Sequence, residues 1–212
     1  VFDFIKADIA MAESCLNHFT TFANPSLEAV WMLKAKVHLW LGEKDEAVKA
    51  AKNVLEGSYF TFSQNSEEFA SMFINGTSAK EIIFAPINIR STDYIRLFET
   101  VNDTDGSFNY SPTEELFNSL YADPSYAATD IRKAATFTEA DRTRVIKFPN
   151  GNLVSNQFIF NPGPSESPLM VFRLADVYLL LAEAYGNTTE GLDALKTFIT
   201  TRYASGNLPS SA

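Results

Sequence analysis

Apolar residues recur at helical spacing near both ends of the chain, and the middle breaks that rhythm. Phe4, Ile5, Ile9, Ala12, Leu16 and Phe19 fall on one helical face, which predicts a helix over 3–19. Asn24-Pro25 reads as an N-cap followed by proline at the first helical position. The helix it opens runs to Leu41 and stops at Gly42. A third helix is predicted over 44–55, ended by Gly57. Ala35, Ala47, Ala50 and Ala51 fall where the second and third helices must approach closely. A tight helical hairpin over 31–55 follows from that pattern.

Past this point the period changes. Residues 59–62 alternate like a short strand, 67–73 read as a short helix, and 81–85 form a β-branched run closed by Pro86. Residues 91–106 are polar and punctuated, which predicts a loop. Ser111-Pro112-Thr113-Glu114 is a capping-box pattern that opens a helix to Leu120. Asp123-Pro124-Ser125 is a turn, two short strands fit within 136–148, and Asn150-Gly151 predicts a hairpin joining 146–148 to 153–154. Asn161-Pro162-Gly163-Pro164 is a rigid loop. Helical spacing then returns over 168–185 and 189–203.

The expected fold is mainly α, with tetratricopeptide-like helical hairpins and a loop-rich middle segment carrying short strands. Its parts are a helical hairpin region over 1–57, an irregular α/β insertion with ligand-side loops over 58–167, a second helical hairpin over 168–203 and a disordered tail over 204–212. Ala35, Leu39, Gly42, Ala47 and Ala51 in the first hairpin match Leu181, Ala182, Tyr185, Gly186, Leu192 and Leu195 in the second. Such units bury their faces only against neighbours, which points to a longer protein. The sequence also lacks an initiator methionine, as expected either of a chain whose true start was removed or of a piece of a longer protein.

The second hairpin opens on a helix that is apolar almost all round, yet carries Arg173, Asp176 and Glu183. Charges on such a helix need partners or a polar groove. Arg173 and Asp176 sit at i, i+3 spacing, and all three residues are expected to be at least half buried as structural ion pairs. Asp130 and Arg132 read the same way, because a guanidinium meets a carboxylate bidentately.

Composition narrows the function. The 212 residues are 46% hydrophobic and 20% charged, a globular balance that can hold one large domain or two small ones. A net charge of −9 argues against nucleic acid and against anionic membrane surfaces. One cysteine, Cys15, excludes an internal disulfide and two-cysteine metal spacings. No apolar run is long enough to cross a bilayer as a helix. His18 and His38 lie in predicted helices without a second ligand at metal spacing, so packing or surface roles account for them. Asp103-Thr104-Asp105-Gly106 fails the calcium-loop template and reads as a turn. No nucleophile elbow, P-loop or dinucleotide fingerprint occurs, and no cofactor or metal is expected.

Eighteen Phe and eight Tyr fill a core and can also leave some over for a binding surface. Trp31 and Trp40 fall on the hairpin helix, where core packing accounts for them. Tyr94, Phe108 and Tyr110 fall in the polar loop beside Arg96 and Asn109, a mix that suits either a carbohydrate surface or a cap on the core beneath the loop.

Four segments, in order, resemble the SusD/RagB family. They are the hairpin over 30–55 with Ala35-Lys36-Val37-His38-Leu39-Trp40-Leu41-Gly42, the strand Glu81-Ile82-Ile83-Phe84-Ala85, the pair Tyr110-Ser111-Pro112-Thr113-Glu114-Glu115-Leu116 and Asp130-Ile131-Arg132, and the string from Arg173-Leu174-Ala175-Asp176 to Ala182-Glu183-Ala184. The resemblance implies a non-catalytic lipoprotein on the surface of a Bacteroidetes-type outer membrane. Such a protein binds oligosaccharides, or peptides in some members, as a lid on a TonB-dependent transporter. The lipidated N-terminus and first helical repeat of that pattern are not found in the chain, nor is the helix that follows the last hairpin. Three other readings stay open: a peptide-binding member, a tetratricopeptide-like scaffold for a protein partner, and a glycoside hydrolase with paired carboxylates. An exposed aromatic platform would favour capture, and a bare concave helical face the scaffold.

Overall fold

A computed structural model describes residues 1–74, 79–86, 113–115, 118, 129–138, 141–145, 151–154, 157–160 and 168–203. In chain order its elements are α1 (Phe2–Cys15), α2 (Leu27–Trp40), α3 (Lys44–Glu56), α4 (Ser66–Ile74), β1 (Ile82–Phe84), α5 (Ile131–Thr136), β2 (Phe137–Thr138), β3 (Asp141–Val145), β4 (Gly151–Val154), β5 (Gln157–Phe160), β6 (Phe172–Arg173), α6 (Leu174–Tyr185) and α7 (Thr189–Thr200). The fold is mainly α, with paired helices of tetratricopeptide type and short strands.

One compact unit gathers residues 1–62, 80–86 and 170–199. Its centre is the antiparallel hairpin α2–α3. Met32, Ala35, Ala47, Ala51 and Val54 are fully buried there. Alanines at the crossing let the two backbones approach, and Gly42, at φ 76°, makes the turn that residues with a Cβ rarely adopt. α6 packs on α3 and adds Leu174, Ala175, Val177, Leu180 and Leu181 to the same core.

Several boundaries differ from the sequence expectation, each for a local reason. α1 ends at Cys15, because Leu16 turns extended (φ −93°, ψ 153°), so His18 and Phe19 lie beyond the helix. α2 is capped by Ser26 rather than Asn24, with the Ser26 hydroxyl accepting the Ala29 N–H. Residues 59–62 form no strand; the Thr61 N–H donates to the Lys80 carbonyl. The long apolar run before α6 does not start as helix. Phe172 and Arg173 pair antiparallel with Phe84 and Ile82, since the Leu174 and Val171 N–H groups donate to the Glu81 and Phe84 carbonyls at 2.8 and 2.9 Å.

The second unit gathers residues 63–79, 87–169 and 200–212. Within its described part α4 packs on α5, and the hairpins β2–β3 and β4–β5 are antiparallel. β4 starts at Gly151 and pairs in register with β5, Gly151 opposite Phe160. Its predicted partner, 146–148, lies outside the described residues. Arg202 is buried with its guanidinium over the Phe69 ring at 5.1 Å, and Tyr203 bridges to Asp130, so the helix predicted to reach Tyr203 stops at Thr200. The predicted tail over 204–212 lies outside the described residues.

Candidate functional site

The candidate ligand residues Tyr94, Arg96, Phe108, Asn109 and Tyr110 lie outside the described residues. The five charged residues read as structural ion pairs do not. Arg132 donates from Nε and Nη2 to Asp130 Oδ1 and Oδ2 at 2.9 and 2.8 Å, and its backbone N–H adds a third bond to Oδ1. This bidentate pair fixes the start of α5.

Arg173 and Asp176 are half-buried, and the partner of the Asp176 carboxylate is backbone. Its Oδ2 accepts the Arg173 N–H at 2.9 Å, which caps α6 as strand turns to helix. Among the described residues Arg173 makes no side-chain ion pair with Asp176. Glu183 is exposed, against the expectation of half burial. Seven residues separate Asp176 from Glu183, two helical turns, so both lie on one face of α6.

What that face borders was not foreseen. Trp40, expected in the core, is 82% exposed at the last turn of α2. Its helical period allows either side, because α2 is apolar on nearly every face. In the fold Met32 and Ala35 are buried, whereas Leu33, Lys36 and Trp40 are exposed. Trp31, on another face, packs partly buried against the core, with the His18 ring edge-on at 5.9 Å.

Lys36, Leu39, Trp40, Asp176, Leu179, Leu180 and Glu183 line an open groove of ≈ 500 Å³ between α2 and α6. That lies within the about 300–1,000 Å³ usual for small-molecule sites. The Lys36 ammonium sits over the Phe172 ring, 5.4 Å from its centre. Leu179 and Leu33 are each 42% exposed beside it. The groove thus offers one indole face, an apolar floor and a rim of two carboxylates and one ammonium.

Other polar clusters serve packing. Glu28, 1% exposed, accepts the Phe19 N–H at 2.7 Å and bonds His18 Nδ1 at 2.8 Å, which holds the chain leaving α1 against α2. His38 Nδ1 bonds Glu43, whose carboxylate also takes the Lys6 ammonium. The hydrogen bond from Lys6, then that from His38, holds the Glu43 carboxyl below its ordinary value. The Tyr185 side chain, whose ring centre lies 5.6 Å from the Lys52 ammonium, raises Lys52 above the ordinary lysine value. Among the described residues no group of three His, Cys, Asp or Glu could hold a metal ion, and no helix is long and apolar enough to cross a membrane.

No protein-family model matches the sequence, and no curated protein matches it. Solved structures do. A SusD superfamily protein from Bacteroides vulgatus superposes with a TM-score of 0.72 at 16% identity, over 99% of this chain and 48% of that one. One from Bacteroides thetaiotaomicron gives 0.68 at 19% identity, over 95% and 47%. A laminarin-binding SusD-like protein gives 0.62 at 19% identity, over 99% and 54%. The chain spans about half the length of the solved structures it matches. Along nearly all of its own length, it has the fold of SusD-like proteins.

Proposed function

We propose that the protein captures oligosaccharides, without cleaving them, at the surface of a Bacteroidetes-type outer membrane. It is held there by an N-terminal lipid outside this chain and acts with a TonB-dependent transporter. The observation that carries this reading is the exposed indole of Trp40 above a groove with polar rims. Burying a tryptophan removes about 150–250 Å² of mostly apolar surface from water, so a fold that leaves one outside forgoes a large favourable term. A sugar ring has an apolar C–H face and a hydroxylated edge, and it fits an indole bordered by carboxylate acceptors. The laminarin-binding protein of the same fold supports the choice of sugar over other ligands. Tyr94, Phe108 and Tyr110, with Arg96 and Asn109, remain separate candidates for sugar contact from their sequence context.

A glycan array on the intact protein, followed by calorimetry, tests the proposal. Trp40→Ala should weaken binding by about tenfold, or ~1.4 kcal/mol. At least one of Tyr94→Ala, Phe108→Ala and Tyr110→Ala should weaken it too. Bound glycan should be recovered at full length. An array without binders rejects capture, and shortened products abolished by one Asp or Glu substitution would reveal a hydrolase.

A further inference from the structure

We infer that the Trp40 groove selects neutral oligosaccharides and rejects acidic ones, with Glu183 setting the preference. The inference rests on the capture reading and adds the class of glycan. Three charged groups line the groove: Asp176, Glu183 and Lys36. Lys36 is the one cation among them, its ammonium held over the Phe172 ring, so with two carboxylates the groove keeps a net charge of −1. Asp176 spends one oxygen on the Arg173 N–H and keeps the other. Glu183 is exposed and, among the described residues, makes no hydrogen bond or ion pair.

A carboxylate accepts hydrogen bonds and donates none. Two of them beside Trp40 match the hydroxyl donors of a neutral sugar stacked on the indole. A uronic acid brings a third negative charge and has lost the one hydroxyl donor at C6, so it meets repulsion and can leave one acceptor unmatched. The chain's net charge of −9 adds to the repulsion at longer range. At physiological salt that long-range part is screened beyond about 8 Å, which leaves the groove's own carboxylates to decide. Glu183 is the better candidate, since Asp176 is half-buried and tied to the helix cap.

The test uses the intact protein in two steps. An array carrying neutral and uronic-acid oligosaccharides should give neutral binders alone. Calorimetry then compares laminarihexaose with the same oligosaccharide oxidised at C6 to the uronic acid. Laminarihexaose should bind at least about tenfold more tightly at low salt. The gap should shrink at high salt and also in Glu183→Gln, which removes the charge and keeps the shape. In that variant laminarihexaose binding should stay within about twofold of the parent. Acidic binders on the array, equal binding of the two probes, or a gap untouched by Glu183→Gln would overturn the inference and leave glycan capture standing. An array with no binder at all would remove both.

Discussion

The ammonium of Lys6 contacts both carboxylate oxygens of Glu43, at 2.7 and 2.8 Å, across 37 residues of sequence. The contact ties α1 to the turn between α2 and α3. α1 has little else to hold it. Ile9 is its one buried residue, and a second ion pair joins Glu13 to Lys34 at 2.9 Å. His38 bonds the same Glu43 carboxylate from the end of α2. The docking of α1 thus combines partly exposed ion pairs with the burial of Ile9.

Its pH dependence follows from the lowered Glu43 carboxyl. A group that binds protons more weakly when folded stabilises the fold at pH above its unfolded value. That contribution is lost as pH falls through the lowered value. As pH falls through the ordinary carboxylate range and below it, melting of the parent should therefore drop by more than melting of Glu43→Gln, which should start lower at neutral pH. Salt should narrow the difference, because both side chains are partly exposed. Parallel pH profiles for the two proteins would show that the clamp does not hold α1.

Glu28 makes a sharper case, because it is buried. Glu28→Ala strands the Phe19 N–H and empties space beneath it, which should cost about 1–3 kcal/mol in urea melts. Glu28→Gln keeps an oxygen for that N–H and should cost less. His18→Ala should cost less than Glu28→Ala, since the His18 side chain is 58% exposed. Equal losses for Glu28→Gln and Glu28→Ala would mean that packing, and not the hydrogen bond, is what Glu28 supplies.

Ala47 is fully buried at the α2–α3 crossing. Ala47→Leu forces extra carbons into a filled contact and should destabilise by about 1–3 kcal/mol. The same change at exposed Lys49 on α3 should fall within about 0.5 kcal/mol of the parent. A Leu tolerated at both positions would argue that the hairpin can open to accept it.

The hairpin was legible because three signals agreed. Alanines marked the crossing, Gly42 marked the turn, and the helical period filled the space between. The start of α6 was not legible. Phe172 and Arg173 suit helix by local pattern, and only the facing carbonyls of Glu81 and Phe84, some ninety residues earlier, draw them into a strand. The Asp176 carboxylate was expected to meet a guanidinium and instead caps the helix that this strand interrupts. Trp40 failed for a related reason. On a helix with apolar residues on most of its faces, the period does not say which faces other elements will cover. The neighbours that pack on α2 set that.

Trp40 can be observed directly, because Trp31 is its one companion. Trp31 is partly covered by the core, and Trp40 is 82% exposed. Acrylamide should quench two populations in the parent, and Trp40→Phe should remove the more accessible one and shift the remaining emission to the blue. Folding should be little affected, within about 0.5 kcal/mol, as for other exposed side chains. If the groove takes a sugar, laminarihexaose should shield the accessible population in the parent and leave the quenching of Trp40→Phe unchanged. Shielding that persists in Trp40→Phe would place the ligand near Trp31. A parent in which both tryptophans resist acrylamide would mean that Trp40 is covered in the intact protein, and the groove would then be an internal contact and no sugar site.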